Sequence, residues 1–442
     1  MHKQKWAPFS IAMAVLALVA AGCRSEGGGG GPSGDNSSQA ACQADQFGCV
    51  TYRPGEPIKI GTALTITGNT ANLGLDSQRG VTLAVDNLDG KLDATAGQLL
   101  DHPVQLVNED TGCNKQGGQA AATKLAADPT ILSVVGTSCS SEALGVADKI
   151  LSDKGIILIS PSNTNPNLTA EGTHQPFYLR TAHNDRIQGL IVADFAYNKL
   201  GAKTAATIHD ESPYADALAA VFRDNFEKMG GKITDNEAIQ STDTDFKPLL
   251  TKIAQSRPDF LYYPDFNPAC ALIAKQAKQI SALSKTKLTG SDGCLETAYL
   301  EQGGKDVYLT YASGPDFSGL KTTSDIYANQ FLPAYKAQFG VDPTSSFHAH
   351  AWDAFNMIAE AIKKVGVKGD DGTLTIPRTA LKDAIFATKD YKGLTGTLTC
   401  TPLGDCATSV TIAVYEAPKW PVEGGDPNSQ PVYTATKTLA DA

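Results

Sequence analysis

The sequence predicts an α/β protein of two doubly wound lobes facing each other across a ligand cleft, on three observations. From Pro57 onward, apolar strand-like runs alternate with amphipathic helical patterns at intervals of roughly thirty residues, the rhythm of repeated βαβ units on a mainly parallel sheet. These units exceed one compact sheet, and 442 residues suffice for two or three ordinary domains. The residues just past the strands are small hydroxyls, amides, one carboxylate and aromatics, and ligands in such folds bind outside the carboxyl ends of the strands.

Taken in order, residues 1–22 read as an export signal: His2, Lys3 and Lys5 form a positive front, and the apolar stretch "IAMAVLALVA" is short for a membrane span. The signal ends in "VAAGC", where small residues precede Cys23 as lipidation requires, although Ala20 stands where a larger aliphatic is usual. Residues 23–56, opening with "RSEGGGGGPSGDNSSQA", are expected to be a flexible tether, because glycine and serine bury nothing. The expected strands are "IKIGTALT", "PVQLVNED", "LSVVGTS", "GIILISP", "TAATIHD", "PDFLYYPDF", "TKLTGSD" and "DVYLTYAS". The helices include "DSQRGVTLAVDNLDG", "YADALAAVFRDNFEKMG" and "SSFHAHAWDAFNMIAEAIKKVG".

Composition bounds the partners. A formal net charge of −10 argues against nucleic acid, which needs a basic face to displace counterions. Nine cysteines less a lipidated Cys23 leave eight, an even number that suits an oxidising exterior. Cys42 with Cys49 and Cys400 with Cys406 are near enough to close small loops, whereas Cys113, Cys139, Cys270 and Cys294 lie near strand ends or helix starts. The spacings do not match a zinc knuckle, so no metal site is expected.

The post-strand residues favour binding over catalysis. Ser140 lacks a G-x-S-x-G elbow and a nearby histidine, and the chain has neither a Walker loop nor a G-x-G-x-x-G after its first strand, so neither an enzyme nor a cofactor is expected. His348 and His350 in "HAH" point to different sides of a helix, and His209 is expected to organise a turn through Asp210. Ser140 and Thr164 can offer hydroxyls, with backbone N–H groups at the following helix starts, to a carboxylate. Asp292 can offset the desolvation of an ammonium group. Tyr214, Phe266 and Phe347 can supply apolar walls, though an isolated aromatic at such an edge is more often simple packing.

The segments "IKIGTALTITG", "VNEDTGCNKQGGQAAATKL", "VVGTSCSS", "ILISPSNTNPNLT", "YLRTAHNDRIQG", "IHDESPYADAL", "DFLYYPDFNPA" and "TGSDG" resemble, in order, the periplasmic binding proteins for leucine, isoleucine and valine. The resemblance implies two α/β lobes joined by three crossings, with lobe one at 57–183 and 314–398 and lobe two at 184–313 and 399–442. It places the carboxylate-binding serine on Ser140, beside Cys139, and the next cradle on Ser162 and Thr164. The ammonium-binding acid falls on Asp292, one methylene shorter than the usual glutamate. Phe266 stands where tyrosine is common, Tyr214 and Phe347 keep aromatic character in the side-chain pocket, and Leu73 replaces an aromatic. The family's lobe-one disulfide maps onto Cys113 and Cys139, closing a loop worth about 3 kcal/mol in the chain-entropy model, and Cys270 and Cys294 are expected to brace the facing lobe.

The expected function is a monomeric, lipid-anchored extracytoplasmic binding protein that hands a small ligand, foremost a branched-chain or other neutral amino acid, to an ABC permease. A sensor for a membrane signalling partner, or transport of an amide, a urea-like molecule or an aromatic ligand, are the alternatives.

Overall fold

A computed structural model of the chain describes residues 42–426 and 428–442. The export signal, Cys23 and the glycine-rich start of the expected tether lie outside the described residues. Among the described residues, no helix is long and apolar enough to cross a membrane.

Two sheets form the two lobes. The first has the order Gln98–Leu99, His102–Asp110, Ile58–Leu64, Ile131–Gly136, Ile157–Ser160, Tyr178–Arg180, and all but its first edge pair is parallel. The second runs Tyr433–Thr438, Ser409–Glu416, Tyr311–Pro315, Lys287–Gly290, Phe260–Tyr262, Thr204–His209, Lys232–Ala238, with its last five strands parallel. Helices cover both faces, which is why a central strand such as "ILSVVG" is a continuous apolar run, buried at every residue, rather than an alternating one.

In each sheet the first strand of the lobe pairs with later strands on both sides. This reversal of strand order opens a crevice beside Leu64 and Gly136 in one lobe, and beside His209 and Tyr262 in the other. The chain passes between the lobes three times: after Arg180, after Pro315 and before Ser409.

The structure corrects several boundaries. The expected tether does not reach residue 56, because Cys42 is disulfide-bonded to Cys49, and Cys49–Tyr52 is a strand paired antiparallel with Leu374–Pro377. Val50 and Tyr52 alternate into the first core, and the Tyr52 hydroxyl donates to Thr130 O at 2.8 Å. The third crossing lies not at 399 but near Thr408: the Cys400–Cys406 loop stays on the first lobe, where Cys406 N donates to Arg180 O at 3.1 Å and Cys406 joins the first core. The strand expected from Asp306 begins at Tyr311, since Gly304–Val307 is a 3-10 turn. His209 turns toward Asp216 at 3.8 Å, leaving Asp210 to accept from Ser212 N at 3.0 Å.

The remaining pairs, Cys113–Cys139 and Cys270–Cys294, are both bonded.

Candidate functional site

The first lobe's side of the cleft is two loops laced together. Gly136 ends its strand in such close contact that an added Cβ would lie 2.3 Å from Ala63 O, so only glycine lets the "TSCSS" turn begin there. From that turn, Thr137 O accepts from the Ser160 hydroxyl at 2.8 Å and Asn163 Nδ2 at 3.0 Å, and Ser138 O accepts from the Ser162 hydroxyl at 2.8 Å. Ser138 Oγ in turn accepts from Thr65 N at 3.0 Å, tying the turn to the neighbouring strand. Ser140 Oγ accepts from Asn165 N at 3.3 Å, so its own O–H is left to donate. Beneath the turn, the Glu142 carboxylate accepts from Cys139 N at 2.8 Å, and the Cys113 bridge holds the same residue.

The second lobe contributes a carboxylate and its holders. Asp292 Oδ1 accepts from the Tyr214 hydroxyl and from Gln188 Nε2, each at 2.8 Å, and Tyr214 also meets Ser291 Oγ at 2.6 Å. Gln188 Nε2 donates further to Ser313 Oγ at 2.9 Å, while its carbonyl faces His183 Nε2. The lobes touch across the cleft through Asn165 to Pro213 O and through Ser346 Oγ to Leu295 O at 3.2 Å.

Between them lies a space of about 10 Å³ lined by Leu73, Ser138, Cys139, Ser140, Ser162 and Phe347 of the first lobe and, across from these, Tyr214, Phe266, Asp292 and Gly293. The structure thus brings together every ligand-binding residue expected from the sequence except Thr164, which is fully buried behind this wall. The Tyr214 and Phe266 rings sit 5.1 Å apart. Phe266 also faces a second cavity of about 420 Å³ at the cleft mouth, shared with Asn69, Cys113, Lys115 and Asp210.

Sequence reasoning missed His183, Asp185 and Gln188. All three belong to the segment "TAHNDRIQ" at the first crossing, where Asn184 caps the helix Asp185–Asp194 by accepting from Arg186 N. The available signal was the Asn184 cap followed by Asp185 and Gln188, three apart and so on one face of the helix.

Among the described residues, two clusters have the donor atoms to hold a metal ion. Cys113, Cys139 and Glu142 form one, but the cysteines are spent in a disulfide; His183, Asp185 and Asp292, with ligand atoms within 4.8 Å of one another, form the other.

Burial sets the protonation of the acids here. It pushes Glu142 up to about 7 and Glu296, which also senses the Asp76 charge, up to about 8. It raises Asp292, countered by His183, and raises Asp185 further through the charge of Asp292. A carboxyl raised in the folded state stabilises fully below its unfolded value of 4.5 and loses that contribution as pH climbs through the folded value. His183 and His350 are held neutral by burial; such a lowered histidine destabilises the fold as pH drops below its ordinary value of 6.5 and leaves the alkaline side unaffected. The melting temperature is therefore expected to fall between pH 7 and pH 9, and Glu296→Gln to flatten that fall; an unchanged slope in the variant would show that Glu296 does not titrate in this window.

A family profile described as periplasmic binding protein matches residues 57–416. The leucine-, isoleucine-, valine-, threonine- and alanine-binding protein of Pseudomonas aeruginosa is 28% identical over 317 residues, 70% of this chain and 79% of that protein. The Leu/Ile/Val-binding protein of Escherichia coli is 28% identical over 70% of this chain and 79% of its own. Among solved structures, the branched-chain amino acid transporter substrate binding protein LivJ of Streptococcus pneumoniae, in complex with isoleucine, superposes with a TM-score of 0.72 at 25% identity, covering 87% of this chain and 100% of that one. A solute binding protein of an ABC transporter from R. palustris, in complex with benzoate, superposes with a TM-score of 0.71 at 20% identity, covering 87% and 97%.

Proposed function

Because the chain belongs to the periplasmic binding protein family, we propose that it captures a small neutral amino acid between its lobes, outside the cytoplasm, and delivers it to an ABC permease. The observation that carries this reading is Asp292, a carboxylate 4% exposed that faces the Ser140 hydroxyl, whose proton is left to donate, across one enclosed space. A buried carboxylate calls for a cation, a hydroxyl donor calls for an anion, and a zwitterion supplies both within a few ångströms. Leu73, Phe266 and Phe347 suit an apolar side chain. The benzoate held by the R. palustris protein carries no positive group for Asp292, and the isoleucine held by the S. pneumoniae protein does. Attachment to the membrane through Cys23 is supported by the "VAAGC" segment.

A space of about 10 Å³ admits no more than about one water, so an amino acid enters only when the lobes part, and closure over it presents a new surface to the permease. Thermal shift and calorimetry of the disulfide-intact protein with L-leucine, L-isoleucine and benzoate test the reading. An amino acid at about 100 times its Kd is expected to add about 2.7 kcal/mol of stability. Stabilisation by benzoate with none from any amino acid would overturn the reading.

A further inference from the structure

Behind the three crossings lies a cavity of about 480 Å³ that the reading above does not use. Every crossing lines it: Thr181 and His183 at the first, Pro315 and Asp316 at the second, Ala407 and Ser409 at the third. Its flanks come from different lobes, residues 395–398 from the first and Thr411 with Thr436 from the second. Leu320, also in the lining, packs against the cores of both. The cavity and the ligand space share no lining residue, and one layer of rings parts them. His183, on the cavity side, stacks on Phe347 at 6.1 Å, and Phe347, in the wall of the ligand space, meets His350 of the cavity at 5.2 Å. The lobes part by turning about the crossings, so a rotation that opens the ligand space brings the two flanks of the cavity together.

The lining determines what the cavity can hold. Asp316 is half-buried, and its Oδ1 accepts from Ser318 Oγ, Gly319 N and the Tyr415 hydroxyl at 2.8, 3.0 and 3.4 Å, all neutral donors. No cation pairs with it among the described residues, and it carries the only formal charge in the lining once burial has left His183 and His350 neutral. His350 is 5% exposed; its ring makes no hydrogen bond among the described residues, and its Nδ1 is buried without a partner. Pro315, Leu320, Leu398, Ala407 and Val410 add apolar surface beside these polar groups. A carboxylate without a counter-ion calls for a cation, and the apolar walls call for a cation with an apolar body. The volume falls within the range of about 300 to 1,000 Å³ usual for small-molecule pockets.

We propose that this hinge cavity is a second binding site, for a small organic amine with an apolar body, and that an occupant there holds the lobes closed. Asp316 receives the ammonium group, Leu320 and Val410 enclose the body, and the filled cavity can no longer narrow as opening requires. Whatever the cleft binds in its closed state then gains affinity from the amine, and by linkage the amine gains the same factor in return. The site stands on the cavity and the hinge, independently of which ligand the cleft takes.

The probe is 2-phenylethylamine, with 2-phenylethanol and 3-phenylpropanoate as its neutral and anionic counterparts. In calorimetric titrations of the disulfide-intact protein, the amine is expected to bind at least tenfold more tightly than either. Asp316→Asn removes the charge and keeps a side chain able to cap the helical turn that follows. Thr397→Trp fills the cavity from an exposed position. Each substitution is expected to weaken the amine at least tenfold. Failure of the amine to bind the wild type, or undiminished binding to either variant, overturns the proposal. Displacement of the amine by L-leucine would put it in the ligand space and overturn the proposal too, whereas L-leucine that does not bind at all counts against the amino-acid reading and leaves the hinge site to the two variants. Small-angle X-ray scattering reads the lobes: saturating amine is expected to lower the radius of gyration of the ligand-free wild type and to leave that of Asp316→Asn as it was. An unchanged or larger wild-type radius overturns the hold on closure.

Discussion

Replacing Asp292 by asparagine is expected to weaken the binding of an amino-acid ligand by about 100-fold. Removing one partner of a buried, hydrogen-bonded charge pair costs about 2 to 5 kcal/mol, and about 2.8 kcal/mol corresponds to that factor. The substitution keeps the side-chain volume, and the asparagine oxygen can still accept from Tyr214 and Gln188, so the fold is expected to persist. Tyr214→Phe removes one hydroxyl and leaves the carboxylate in place, so it is expected to cost less than Asp292→Asn. Calorimetry on both variants with L-leucine or L-isoleucine checks the order. Equal affinities for wild type and Asp292→Asn would remove the charge from the argument.

Arg180→Met is expected to cost about 3 to 5 kcal/mol of stability and to loosen the ligand cradle as well. Arg180 is fully buried, with Nε on Asp405 Oδ1 at 2.6 Å and Nη1 on Asn163 O and Asn165 O at 3.2 and 2.8 Å. Methionine fills much of the same volume but leaves a buried carboxylate and two carbonyls without their donor. Those carbonyls belong to the loop that carries Ser162 and Thr164, so a loss of order there reaches the site. Adding Asp405→Asn to Arg180→Met removes the stranded charge and is expected to recover part of the stability. Denaturant midpoints of the two variants measure this, and a single-variant loss below about 1 kcal/mol would mean that the loop holds without the arginine.

That these residues wall one enclosed space was legible because their signal is local in the chain. "TSCSS" and "SPSNT" each follow a continuous apolar run, and of their small hydroxyls Ser138, Ser160 and Ser162 are engaged in lacing the two loops together while Ser140 keeps its proton to donate. Asp292 was legible for the same reason, as the lone carboxylate after "TKLTG". Thr164 was expected at the cavity with them and lies instead behind its wall, because Asn165 turns back to cap the short helix Pro166–Thr169 and to cross to Pro213. His183 and Asp185 were hidden for a different reason. They follow the last, edge strand of the first sheet, outside the crevice where strand order reverses, and reach the site only because the chain crosses to the other lobe there.

What the sequence determined by itself is what short stretches of chain decide: apolar runs that must be buried on both faces, helix caps, paired cysteines, and hydroxyls and a carboxylate at strand ends. What only the tertiary structure decided is which of these groups meet. The Ser162 hydroxyl is engaged by Ser138 O, Val50 and Tyr52 leave the expected tether to join the first core, and Asp185 comes to stand beside Asp292, far from it in the chain. Such meetings depend on how two lobes pack, and the free energy of a buried polar atom is set by its spatial neighbours rather than by its neighbours in sequence.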